Sequence, residues 1–152
     1  MISVSEALKH LILLVNPVQV EPTSLYSAAG RVLAQDVAAL RDQPPFAASA
    51  MDGYAVQKSG LTRGARFRVI GESAAGHGFL EPLNPGQAVR IFTGAPVPQG
   101  ADHVVIQEDV ERDGDQMIIT GEIDPKTYIR PAGSDFKRGH TLPAPRRLSP
   151  SD

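Results

Sequence analysis

The sequence predicts an α+β fold that is mostly β, with one N-terminal helix ahead of a twisted, largely antiparallel β region. Three observations lead there. A helical apolar period is confined to the start of the chain, at Val4, Leu8, Leu11 and Val15. From Met51 onward nearly every apolar segment is short and bounded by Gly, Pro or Asp. Gly (14) and Pro (13) are spread along the 152 residues, and together they exceed the average share of about 12%.

Taken in order, Ser3-Val4-Ser5-Glu6 reads as a capping box that opens an amphipathic helix over residues 4 to 15. Asn16-Pro17 stops that helix, because the residue before a proline is steered out of the helical region. Val18 and Val20 alternate with polar residues and predict a short strand. Ser24 to Ala29 predicts a helical turn closed by Gly30. Arg31 to Leu40 reads as a helical turn followed by a short strand. Later strands are predicted at Tyr54–Val56, Phe67–Ile70, Ala88–Phe92, His103–Gln107, Val110–Glu111, Met117–Thr120 and Tyr128–Arg130. Asp113-Gly114 between two of these runs predicts a hairpin with a primed turn. Ser149-Pro150-Ser151-Asp152 has the cap and first-turn proline of a helix start. A helix start with no helix behind it reads as a piece of a longer protein, the alternative being a frayed polar tail.

Composition limits the function classes. Hydrophobic residues make up 41% and charged residues 21%, an ordinary globular balance. The formal net charge is -2 with no block of like charges, which argues against a nucleic-acid surface built on clustered Lys and Arg. The run Leu11 to Val15 is far too short to span a bilayer, and Glu6 and Lys9 interrupt any signal-peptide pattern. Cysteine is absent, so disulfides and thiolate metal sites are excluded. Trp is absent and Phe (5) and Tyr (3) are few, so a stacking platform for bases or sugars is poorly supplied.

Three stretches carry candidate chemistry. In Met51-Asp52-Gly53-Tyr54, Gly53 permits positive φ or leaves room for a ligand to approach, with Asp52 facing a cation. The plainer reading is an Asp-Gly turn in which Asp52 bonds its own backbone, and on spacing alone that turn is the commoner arrangement. In Arg90 to Pro98 a strand runs into Thr93-Gly94-Ala95-Pro96, a loop whose N–H groups and hydroxyl suit an oxyanion, or else a turn stiffened by Pro96 and Pro98. In Ile129 to Asp135, Arg130 offers a planar fork for phosphate or carboxylate, and Asp135 folds back past Gly133 toward the same place. The alternative there is a surface salt bridge of little worth. Glu108, beside Asp109 at a strand end, is a further acid, more simply read as a solvated edge. His10, His77, His103 and His140 lack metal-ligand spacing, and His10 is placed on the helix surface. No nucleophile elbow is present. These residue types suit a polyanionic ligand with a divalent ion.

Together the stretches resemble a known family. Gly30-Arg31-Val32-Leu33-Ala34 with Asp36-Val37, then Ser49-Ala50-Met51-Asp52-Gly53-Tyr54-Ala55, then Arg90-Ile91 with Thr93-Gly94-Ala95-Pro96-Val97-Pro98, are similar to the MoeA/gephyrin family of molybdopterin molybdenumtransferases. Gly100-Ala101-Asp102 with Val104-Val105, and Arg130 with Gly133 and Asp135, extend the likeness over essentially the whole chain. The resemblance implies the N-terminal region of such an enzyme, with twisted or bifurcated antiparallel sheets and a β-rich subdomain. It divides the chain into a discontinuous first subdomain, 1–45 plus 130–152, and an inserted β-rich subdomain, 46–129. The family's C-terminal α/β and β domains are absent from this sequence. The implied reaction inserts molybdate into adenylylated molybdopterin with release of AMP, assisted by Mg²⁺, in a cytoplasmic homodimer. This chain is then inactive alone and contributes dimerisation and cleft residues. On matching positions the resemblance implies Asp52 and Asp135 as catalytic and metal-holding acids, and Thr93 and Arg130 as substrate-binding groups. Implied partners are a second copy, the pterin substrate and other molybdenum cofactor enzymes, with no nucleic acid and no membrane. Pro131-Ala132 stands where many relatives are more basic, and Ser134 where an acid is frequent, which weakens the pull of this loop on an anion. A gephyrin-like dimerisation and scaffold module that binds protein partners is the alternative function.

Overall fold

The computed structural model describes residues 2–16 and 18–150. The chain divides into two compact units, one of Met1–Val37 with Thr141–Asp152, the other of Ala38–His140. The mostly β, α+β class holds.

The smaller unit opens with helix α1, Val4–Leu13. The capping box forms: the Ser3 hydroxyl accepts from the Glu6 N–H at 3.2 Å, and the Glu6 carboxylate accepts from the Ser3 N–H at 2.8 Å. The helix ends two residues before the predicted Val15, because its last turn tightens. Leu14 and Val15 donate to Leu11 and Ile12, three residues back. Pro17, the predicted stop, and the end of the predicted helix start at Ser151-Asp152 lie outside the described residues. No residue of α1 is buried. The predicted strand at Val18 and Val20 does not form, since alternation without a partner strand leaves its N–H and C=O groups to solvent. The turn at Leu25–Ser27 is a short 3₁₀ segment, and Gly30 follows at φ +81°. Arg31 to Leu40 contains no helical turn. It gives two short strands, Val32–Leu33 and Val37–Ala38, the first paired antiparallel with Arg146–Arg147.

The larger unit is built on six strands: β1 Gly53–Val56, β2 Arg66–Ser73, β3 Gln87–Ile91, β4 His103–Ile106, β5 Val110–Asp113 and β6 Gln116–Ile119. Their spatial order is β4-β1-β3-β2-β6-β5. All neighbours are antiparallel except β2 and β3, which run parallel, with a register shift between Val69 and Gly71. The predicted hairpin forms one residue later than read. Asp113 pairs with Gln116, so Gly114-Asp115 are the turn residues, and Gly114 takes φ +59° at the first of them.

β1 is buried along its whole length. Its two-residue period sends Tyr54 and Val56 to one face, with Phe67, Ala88, Val105, Met117 and Ile119. Ala55 goes to the other face, with Ile91, Ala95 and Val104. Each fully buried Val, Ile or Met side chain contributes roughly 1.5–3 kcal/mol. A further short strand, Ala48–Ser49, which the sequence did not suggest, pairs with Ile129–Arg130. On its other side Ser49 exchanges hydrogen bonds with Gly94 and Ala95. The segments around Asp42 to Pro44 and Gly133 to Arg138 are laced together in the same unit, with the Gly133 and Asp135 N–H groups donating to Pro44 and Gln43.

Gly53 is required for a reason other than positive φ or ligand access. A Cβ there would lie 2.0 Å from the Val105 carbonyl oxygen, so its bare Cα lets β4 close against β1. Gly53→Ala is expected to destabilise the larger unit by about 1–3 kcal/mol, the scale of overpacking a core. The denaturant midpoint followed in that unit checks it.

Candidate functional site

Asp52 is not the self-bonded acid of an Asp-Gly turn. It sits half-buried immediately before β1. Its Oδ1 accepts from both the Thr93 N–H and the Thr93 hydroxyl, each at 2.8 Å. Ser49 shapes the approach: its hydroxyl donates to the Met51 carbonyl at 2.6 Å and accepts from the Met51 N–H at 3.3 Å. The Thr93 backbone bond holds the Asp52 carboxyl below the usual carboxylate range, the Thr93 hydroxyl adds to this, and the Arg90 charge contributes a smaller pull. Both bonds fall on one oxygen, so Oδ2 is left to face another ligand.

The Thr-Gly loop is not the open anion cradle its sequence suggested. The Thr93 N–H is spent on Asp52, the Gly94 N–H donates to Ser49 and the Ala95 N–H to Phe92. Three successive donors that fit an oxyanion in sequence are consumed by the protein itself.

Arg130 and Asp135 do meet: Arg130 Nη2 lies 2.6 Å from Asp135 Oδ1. Their side chains are 49% and 47% exposed, so the pair contributes little to stability. Gly133, at φ +70°, turns the loop that returns Asp135 to Arg130. The strand Ala48–Ser49 stands between the two pairs in the hydrogen-bond network, bonded to 129–130 on one side and to 94–95 on the other. Glu108 is exposed, lies in a 3₁₀ turn, Gln107–Asp109, and accepts from the Gln107 side chain at 3.3 Å. His10 is on the exposed helix surface as expected.

Among the described residues no group of three or more His, Asp or Glu side chains gathers as a cation cage. A Mg²⁺ ion needs less than that, since it is commonly held by one or two carboxylates together with substrate phosphates and water. Asp52, with one open oxygen and neutral donors on the other, fits such a role. The guanidinium beside Asp135 makes it the poorer cation ligand.

A small cavity lies elsewhere, lined among others by His103, Asp109, Asp124 and Tyr128. Motif reading set His103 aside for want of metal-ligand spacing, took Asp109 only as a neighbour of Glu108, and gave Asp124 and Tyr128 no site role. His103 is 2% exposed and its Nδ1 has no hydrogen-bond partner. Burial pushes its imidazole below the ordinary 6.5, and the Lys58 charge adds to this. Tyr128 takes φ +54°, uncommon for a residue with a side chain. It is held there by its hydroxyl, which donates to Asp124, and by its carbonyl, which accepts from the Ala50 N–H at 2.8 Å. A positive φ outside glycine leaves no mark in sequence.

Comparison with known proteins places this geometry in context. The family described as the MoeA N-terminal region (domain I and II) matches residues 2–152. The molybdopterin molybdenumtransferase of Haemophilus influenzae is 41% identical over 127 residues, which is 83% of this chain and 31% of that protein. Gephyrin of Dictyostelium discoideum is 34% identical over 138 residues, 80% of this chain and 19% of that protein. The crystal structure of a molybdopterin biosynthesis MoeA protein from Pyrococcus horikoshii superposes with a TM-score of 0.86 at 35% identity, covering 97% of this chain and 41% of the other. The chain therefore spans about a third of the length of the curated molybdenumtransferases it matches.

Two outcomes follow from the electrostatics. Thr93→Val removes the hydroxyl donor while keeping the shape, so the Asp52 carboxyl is expected to titrate nearer the ordinary 3.8, as read by carboxylate NMR. His103 is neutral in the fold but takes up a proton near 6.5 when unfolded. The unfolded chain therefore binds the extra proton, and stability falls as pH drops from 6.5 toward the lower folded value. In His103→Gln that acid slope is expected to shrink by up to one proton, measured as denaturant midpoints against pH.

Proposed function

The chain belongs to the family of MoeA N-terminal regions, and from that membership we propose that it forms this region of a molybdopterin molybdenumtransferase. The whole enzyme inserts molybdate into adenylylated molybdopterin and releases AMP. The region seen here supplies part of the site, and the rest of the enzyme supplies the remainder. The observation that carries the reading is Asp52, an anion fixed by two neutral donors on one oxygen with the other oxygen open.

Mg²⁺, bound through Asp52 and more weakly through Asp135, would supply positive charge to the phosphate oxygens of the substrate. The protein's own groups do the rest. Thr93 fixes the orientation of Asp52, and its hydroxyl is able to turn from the carboxylate to an anionic oxygen. Arg130 presents its guanidinium to the substrate, and Asp135 restricts its range of positions. These four side chains form part of a cleft completed by the rest of the enzyme and a second copy.

The second copy is the proposed partner because α1 exposes Val4, Leu8, Leu11 and Ile12 by 57% or more each. No helix of the described residues is long and apolar enough to cross a membrane, and the proposed setting is the cytoplasm, among other enzymes of molybdenum cofactor synthesis. A scaffold module that only assembles proteins is the weaker reading, since it gives the Asp52–Thr93 geometry no use.

In the full-length enzyme, Asp52→Asn is expected to lower the rate of AMP release at least about tenfold, the scale of losing a metal-orienting carboxylate. Oligomeric state by light scattering is expected to stay the same. An unchanged rate removes Asp52 from the site.

A further inference from the structure

Arg90 is absent from every motif role assigned above, yet it touches each backbone stretch that carries the Asp52–Thr93 pair. Its Nη1 donates to the Gly53 carbonyl at 3.2 Å, one residue after Asp52. Its Nη2 donates to Gln107 Oε1 at 2.7 Å, and the Gln107 N–H in turn donates to the Asp52 carbonyl at 3.1 Å. The guanidinium carbon stands 4.8 Å from the ring centroid of Phe92, one residue before Thr93, and 5.2 Å from that of Tyr54. No ion pair joins Arg90 to Asp52 among the described residues.

We infer that Arg90 is the positioning residue of the Asp52–Thr93 pair, clamping the ends of β1 and β3 and the Gln107 turn in one register. A planar cation is needed for this. Its guanidinium carbon stands over two aromatic rings while its two terminal nitrogens donate to two separate acceptors, a fork that a lysine's single nitrogen lacks. Because the guanidinium does not bond the carboxylate, it steadies Asp52 without neutralising it. The charge that a cation requires is kept. The purpose of the clamp rests on the proposed role of Asp52, but its geometry is measurable apart from enzyme activity, so the two fail separately.

The experiment compares Arg90→Ala and Arg90→Lys with the unaltered 152-residue chain. It reads the Asp52 carboxylate titration and amide exchange at Thr93 and Ile119. In Arg90→Ala the Asp52 midpoint is expected to rise and the Thr93 amide to exchange about tenfold faster, the scale of one lost hydrogen bond. Ile119, bonded to Ala65 at 3.0 Å on the far part of the sheet, is expected to stay protected. Arg90→Lys restores charge and is expected to recover part of the midpoint but not the Thr93 protection. Unchanged Thr93 exchange in Arg90→Ala overturns the proposal whatever the midpoint does, because loss of the Arg90 charge alone raises it. So does an equal loss of protection at Ile119, which marks a general packing role. If Arg90→Ala fails to fold, Gln107→Ala removes one arm of the clamp from an exposed position. Faster exchange of the Thr93 amide then supports the inference, and unchanged exchange overturns it.

Discussion

The site depends on how closely β4 approaches β1. β1 is the buried strand between β3 and β4, and Gly53 pairs with Ile91 on one side and Ile106 on the other. The missing Cβ at Gly53 lets Val105 come in. Antiparallel register then fixes what lies beyond the ends of the strands. One step back along β1 is Asp52. One step forward along β3 is Phe92, then Thr93, and one step beyond β4 is Gln107. The carboxylate meets Thr93 and its backbone meets Gln107 because the ladder delivers them there. A slip of one residue would reverse every side chain of β1 between faces. The two-sided core of the larger unit resists that slip and so holds the acid in place.

The kind of partner each acid has decides what it remains free to do. Asp135 is bonded to a guanidinium, and the two charges largely cancel toward an incoming ion. Asp52 is bonded to an amide N–H and a hydroxyl, which stabilise the anion and leave its net charge intact. Two carboxylates of equal standing in sequence thus separate into a charge-bearing one and a compensated one. The Arg130–Asp135 pair, five residues apart, was open to local reading, whereas Thr93 lies 41 residues from Asp52 and meets it only when the ladder is in register.

Local chemistry was legible and non-local pairing was not. The Ser3–Glu6 capping box and the six principal strands follow from spacing within a few residues, and they formed close to where the sequence put them. The strand at Val18 and Val20 failed for want of a partner. Ala48–Ser49 was missed because two residues carry no period and become a strand only between the 94–95 loop and Ile129–Arg130. The parallel pairing of β2 with β3 is likewise a property of the connection rather than of either strand. At the site, Thr93-Gly94-Ala95 announced three donors truthfully, but sequence does not say who receives them. Gly53 was singled out correctly and for the wrong reason: the room it leaves is filled by backbone.

The two compact units differ in what stabilises them. Every buried apolar side chain of the described residues falls between Pro44 and Ile119, inside the larger unit. The smaller unit buries none, although Val4, Leu8, Leu11 and Ile12 recur on α1 at the spacing of an apolar face. A ten-residue helix is marginal by itself in water even with a good cap. Propensity and capping alone therefore leave α1 the least secured element of the described residues. The larger unit, by contrast, has a core of its own to keep its ladder and hence to keep Asp52 against Thr93. Under the proposed function, assembly and chemistry fall on different stretches of the chain. A substitution in β1, β3 or β4 disturbs the acid's surroundings first, because those strands set the register that brings Thr93 to Asp52.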